Sequence, residues 1–152
     1  MPAIGDLAPE FQLKDERGQL HALSQYRGQR VVLYFYPKDD TPGCTTEACG
    51  FRDRLGTFRD HNVVVLGISP DSVESHDRFA QKYGLTFPLL ADDGHQVAEH
   101  YGVWVEKDRG GVKSMGIART TFVIDAGGRI EHVFQNVHPD GHAQEVLAHL
   151  GA

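Results

Sequence analysis

Two apolar runs constrain this chain more than any other feature. Arg30-Val-Val-Leu-Tyr-Phe-Tyr36 and Asn62-Val-Val-Val-Leu-Gly-Ile-Ser69 are β-branched and aromatic, with no polar alternation inside them. A strand with one face in water alternates, whereas a strand covered on both faces reads as an unbroken apolar run. The pattern therefore predicts two central strands with helices packed above and below. A helix is expected from about Gly43 to Phe58, with Thr41 as its N-cap and Pro42 at its first position. Phe51, Leu55 and Phe58 recur at helical spacing and would face the core. Further helices are expected at Ser72 to Tyr83 (stopped by Gly84), Gly94 to Tyr101, and His142 to Leu150. Phe87 to Leu90 reads as a short strand. Thr120 to Asp125 and Arg129 to Gln135 read as two strands around the tight turn Ala126-Gly127-Gly128. Near the N-terminus, Phe11 to Leu13 and Gln19 to Ala22 flank Asp15-Glu-Arg-Gly18 as a hairpin, followed by a helical turn at Leu23 to Arg27. The alternation of strands and helices is α/β, with a central mixed sheet flanked by helices and an N-terminal hairpin. A chain of 152 residues fits one such domain, residues 1–152.

Composition narrows the function. The formal net charge is −6 and basic residues are scattered, so no nucleic-acid footprint is expected, nor attachment to a membrane surface. No apolar stretch approaches the roughly 18 residues of a spanning helix. Met1 to Phe11 carries Asp6, Glu10 and two prolines and does not read as a signal peptide. The expected compartment is the cytoplasm, where thiols stay reduced. The two cysteines are then inert, metal-bound or catalytic rather than a permanent staple. The nine histidines are scattered and read as ordinary surface groups.

The cysteines fall in Pro37-Lys-Asp-Asp-Thr41-Pro-Gly-Cys44-Thr-Thr-Glu-Ala-Cys49. Cys44 lies in the first turn of the expected helix, where unpaired N–H groups and the helix dipole favour negative charge. That position favours the thiolate, the nucleophilic form of sulfur. Cys49 is five residues on. In an ideal helix this separates the Cα atoms by about 8.7 Å and turns them about 140° apart. A disulfide needs Cα atoms within roughly 4.4–6.8 Å, so the pair can bond only if the helix start unwinds. A buried, inert Cys44 is the bland alternative. A zinc site lacks the second ligand pair that structural zinc requires. Glu47, one turn after Cys44, could orient Arg119 or Arg52 or stand in solvent, and Trp104 reads as core or rim packing.

The same residues carry a family resemblance. The chain resembles the peroxiredoxins, in particular the bacterioferritin-comigratory-protein or peroxiredoxin Q branch. Pro37, Thr41 and Cys44 match the Pro-x-x-x-Thr-x-x-Cys motif, and Gly116-Ile-Ala-Arg119-Thr-Thr-Phe-Val-Ile-Asp125 resembles the branch's arginine-bearing strand entry. Phe87 to Asp92, Tyr101 to Lys107 and Gly5-Asp-x-Ala-Pro9-x-Phe11 also match, so the similarity spans essentially the whole chain. The resemblance implies a thioredoxin-like fold and a thiol peroxidase. It implies that Cys44 is the peroxidatic cysteine, that Cys49 resolves it as an intramolecular disulfide, and that Pro37, Thr41, Gly43 and Arg119 form the substrate site. It implies hydrogen peroxide or an alkyl hydroperoxide as substrate, thioredoxin or a similar dithiol as reductant, no metal or other cofactor, and a monomer or weak homodimer. A thiol-disulfide oxidoreductase and a non-enzymatic redox sensor are the rival readings; the absence of Cys-x-x-Cys counts against the first.

Overall fold

The computed structural model describes residues 1–152. Its strands are β1 (Gln12–Lys14), β2 (Leu20–Ala22), β3 (Arg30–Phe35), β4 (Val63–Ser69), β5 (Leu89–Ala91), β6 (Trp104–Arg109), β7 (Val112–Ile117), β8 (Thr120–Ile124) and β9 (Ile130–Phe134). Its helices are α1 (Pro42–Asp53), α2 (Leu55–Asp60), α3 (Val73–Tyr83), α4 (Gln96–His100) and α5 (His142–Leu150), with a 3₁₀ turn at Leu23–Tyr26. Seven strands form one mixed sheet in the order β2-β1-β5-β4-β3-β8-β9. The two apolar runs are β3 and β4, which lie parallel at its centre. Parallel neighbours need crossover connections, and the helices between β3, β4 and β5 supply them.

Both faces are covered, as an uninterrupted apolar strand requires. Val32 and Tyr34 point into a core shared with Phe51, Phe58, Phe79 and Val146. Val31, Leu33 and Phe35 point the other way, against Tyr101, Phe122 and Val97. β8 runs antiparallel to β3 with Phe35 opposite Thr120. This register sets the start of β8 beside the end of β3, and the functional residues gather at that edge.

Three features depart from expectation. The helix expected over Gly43 to Phe58 is broken at Arg54 (φ −113°, ψ 9°). The break turns α2 onto β4, where Leu55 and Phe58 pack with Val63 and Val65, and Gly56 gives the helix little reason to continue straight. A second sheet, the hairpin β6–β7, occupies a stretch that carries no apolar run. Its turn is Gly110-Gly111, with φ of 60° and 86°, the doubly positive geometry of a tight hairpin turn that glycine accepts without strain. Finally, His76 and His142 are buried rather than at the surface. Elsewhere the expected elements are present with ends shifted by a few residues; α3 starts from Ser72, whose Oγ accepts the Ser75 N–H.

Candidate active site

The loop after β3 delivers Cys44, and it is fastened before it arrives. The Asp39 carboxylate accepts from the Tyr36 hydroxyl at 2.6 Å and from Ser75 Oγ at 2.8 Å, and it lies 2.6 Å from His76 Nδ1. The Asp39 N–H donates to Asp71 at 2.8 Å. Asp40 adopts φ 56° and is held by Lys82 Nζ at 2.7 Å and the Tyr83 hydroxyl at 2.8 Å. The segment between Pro37 and Thr41 is thus tied to α3. Thr41 occupies the cap position in extended backbone. Its hydroxyl does not cap the helix; it donates to the Lys38 carbonyl at 2.9 Å. Pro42 opens α1, and Cys44 follows in the first turn, buried.

Arg119 reaches the same point from the entry to β8, the strand that pairs with β3. It sits between β7 and β8, one residue before Thr120. One guanidinium nitrogen, Nη2, donates to Cys44 Sγ at 3.3 Å, and the other, Nη1, donates to Glu47 Oε1 at 2.6 Å. Gly43 eases the approach: a Cβ there would lie 3.3 Å from Arg119 Nη2 and from Pro139 Cγ, close enough to crowd both.

The Arg119–Glu47 pair is asymmetric. The Glu47 side chain is 0 % exposed and that of Arg119 17 %, so the carboxylate loses more hydration. Burial pushes the Glu47 carboxyl up to about 7 against the opposing pull of Arg119. Burial also disfavours the Arg119 charge, but Glu47 and Cys44 outweigh it and hold the guanidinium more firmly protonated than usual. Two buried polar atoms here have no hydrogen-bond partner, Glu47 Oε2 and the Tyr34 hydroxyl. Burial, then the nearby Glu47 and Cys44, pushes the Tyr34 hydroxyl well above its ordinary range. Each such orphan costs on the order of 1–3 kcal/mol, and exceptions of this kind ask for a functional explanation.

Pro37, Thr41, Cys44 and Arg119 line one open cavity of about 490 Å³. Its outer wall is the β6–β7 hairpin, including Trp104, Lys107 and Met115. Gly43 lies behind Arg119 rather than at the cavity surface. Cys49 stands apart, half-buried on the next turn of α1, and both thiols are free on an intact helix. The arrangement offers a nucleophile, a fixed cation beside it and room for a small substrate. Sequence reasoning left Glu47 undecided and did not find the hairpin wall. The signal for the wall was Gly110-Gly111 between two segments of equal length.

The AhpC/TSA family pattern matches residues 4–133. Peroxiredoxin Bcp of Escherichia coli is 50% identical over 143 residues, covering 94% of this chain and 92% of that protein. A PrxQ mutant structure from Xylella fastidiosa superposes with a TM-score of 0.94 at 41% identity, covering 99% of this chain and 96% of the other. A structure of the Xanthomonas campestris bacterioferritin comigratory protein, from work on its alkyl peroxide reduction activity, superposes with a TM-score of 0.89 at 38% identity over 93% and 90% of the two chains.

Proposed function

The chain belongs to the AhpC/TSA family, and from that premise we propose a thiol peroxidase in which Cys44 attacks the peroxide and Cys49 resolves it. The observation that carries the reading is the Arg119 Nη2 contact with Cys44 Sγ at 3.3 Å, at the floor of a cavity open to solvent. The guanidinium and the unpaired N–H groups at the start of α1 both favour negative charge on sulfur. They also face the oxygen on which charge develops as the O–O bond breaks.

In the first step the Cys44 thiolate attacks the terminal peroxide oxygen. An S–O bond forms, the O–O bond breaks, and the departing oxygen takes up a proton to leave as water or an alcohol. The Thr41 hydroxyl, at the cavity wall, is the group to orient the peroxide, and Pro37 shapes the opening. The start of α1 then unwinds, and the Cys49 thiolate attacks the Cys44 sulfenic sulfur, expelling its oxygen as water after protonation. A dithiol partner of the thioredoxin kind reduces the disulfide by exchange. The substrates in this reading are hydrogen peroxide and alkyl hydroperoxides, the setting is the cytoplasm, and the working unit is a monomer or weak homodimer.

The test is intact mass after one equivalent of hydrogen peroxide, followed by non-reducing peptide mapping. The expected result is a loss of two hydrogens and a linked Cys44–Cys49 peptide. Cys49→Ser should stop with one oxygen added at Cys44. An unmodified Cys44 beside unconsumed peroxide would overturn the assignment.

A further inference from the structure

The wall of the cavity is sorted by charge. The chain carries 21 acidic and 15 basic residues. Yet Lys38, Lys107, Arg109 and Arg119 line the space over Cys44, and no carboxylate does. Glu47 lies behind Arg119, where burial holds much of it neutral near pH 7.

The β6–β7 hairpin does the sorting. Successive strand residues point to opposite faces. In Glu106-Lys-Asp-Arg109 that alternation puts Lys107 and Arg109 on one face and Glu106 and Asp108 on the other. Lys107 and Arg109 line the cavity with Ser114, the partner of Lys107, and Gly116; Trp104, Met115 and Ile117 from the opposite face also line it, whereas Glu106 and Asp108 do not. Glu106 pairs instead with Lys113 at 3.7 Å, and Asp108 accepts the Gly111 N–H at 2.9 Å within the turn.

Lys107 is the cation best placed among the hairpin residues. It is half-buried, and its stem lies across Gly116, whose missing side chain leaves the room: a Cβ there would be 3.3 Å from Lys107 Cδ. Burial, then Arg109 and Arg119, holds its ammonium below the ordinary lysine range, while Cys44 opposes them. An ammonium crowded by two cations and partly stripped of water is stabilised by an incoming anion. A cleft of one sign also concentrates ligands of the other.

We propose that this cavity selects hydroperoxides and peroxyacids that carry a negative charge away from the O–O bond, and that Lys107 is the residue that selects them. The inference rests on Cys44 being the peroxide-reactive thiol. The chemistry balances without a further reagent: the Cys44 thiolate, the anionic peroxide and one proton give the Cys44 sulfenic acid and the corresponding anionic acid or alcohol. The remote charge passes through unchanged, held near Lys107 while the terminal oxygen is transferred.

A matched pair of oxidants tests this. Peroxyacetic acid and monoperoxysuccinate share the reacting group and differ by a remote carboxylate. Rates of Cys44 oxidation are followed through Trp104, the only tryptophan, which lines the cavity. Each rate is normalised to that of 2-mercaptoethanol, with hydrogen peroxide as a third oxidant. The protein should favour the anion by about fivefold or more at low salt, and the preference should shrink as the screening length falls to about 10 Å near 0.1 M salt. Lys107→Met should bring the ratio close to one, and Lys107→Arg should keep it. A ratio near one in the unmodified protein, or one that Lys107→Met leaves intact, overturns the proposal. So does an intact ratio combined with slower reduction by thioredoxin, which would make the cations a docking patch for a protein. If none of the three oxidants reacts with Cys44, the peroxidase reading itself fails.

Discussion

Arg119 serves two acceptors at once, and only a forked cation can do so. Its Nη1 holds Glu47 and its Nη2 meets Cys44. A lysine ammonium is a single point charge on a flexible stem, so it would settle on the buried carboxylate and leave the sulfur. Arg119→Lys should therefore slow Cys44 oxidation roughly 100-fold, the scale of losing one preorganised donor, with little change in melting temperature. Stopped-flow rates with hydrogen peroxide check this, and a rate within threefold of normal would remove the guanidinium from the reacting centre. Pro42 and Cys44 at the start of α1 were legible from local spacing, because they are punctuation: a proline at the first helical position and a cysteine in the first turn; Arg119 was legible only through the family resemblance. Glu47 was ambiguous because a glutamate one turn into a helix is usually solvated. Its burial depends on Arg119, 72 positions away, which no local pattern reports.

At the scale of elements, α1 has two requirements that conflict. Folded, it presents Cys44 beneath Arg119; the proposed cycle requires it to open so that Cys49 can reach that sulfur. The chain is anchored on both sides of the segment that this opening requires to move. Asp39 and Asp40 bind α3 before it, and after it Arg52 donates to the Tyr83 carbonyl at 2.6 Å while Phe51 stacks on Tyr34 with ring centroids 4.6 Å apart. Gly50 lies inside this stretch. Alanine there would stabilise the folded helix by about 0.8–1 kcal/mol, and its Cβ would make an ordinary 3.7 Å contact with Ala143. Gly50→Ala should leave sulfenic acid formation alone and slow disulfide formation about fivefold, since fewer molecules are open at any moment. Disulfide formation after a peroxide pulse, timed by acid quench and mass, is the measurement; an unchanged rate would mean that opening of the helix does not precede resolution. The helix itself was legible from its cap and apolar spacing. Its break at Arg54 was not, because the cause is the packing of α2 on β4, a contact between elements. The polar β6–β7 hairpin escaped for the opposite reason: it buries little, so hydrophobic pattern had nothing to mark.

At the scale of the molecule, the site weakens the fold that holds it. Glu47 is a buried acid with one oxygen unpartnered, and its carboxyl is raised from 4.5 to about 7. Between those values the folded protein holds a proton that the unfolded chain releases. The stability this confers is full below pH about 4.5 and is lost as pH rises through about 7. Urea denaturation at pH 5 and pH 8 should show Glu47→Gln gaining on the unmodified protein at the higher pH, by up to about 3 kcal/mol. Parallel behaviour of the two proteins would sink this account. The sheet as a whole was legible from two apolar runs, since only a doubly covered centre accommodates them. What the runs do not encode is the pairing of Phe35 with Thr120, and that register brings Arg119 to Cys44 across 75 positions of chain. The same register fixes when the site is assembled during synthesis. Cys44 leaves the ribosome long before β8 does, and until β8 docks there is no guanidinium beside its sulfur. In the proposed cycle the reacting centre is therefore completed only by the last steps of folding.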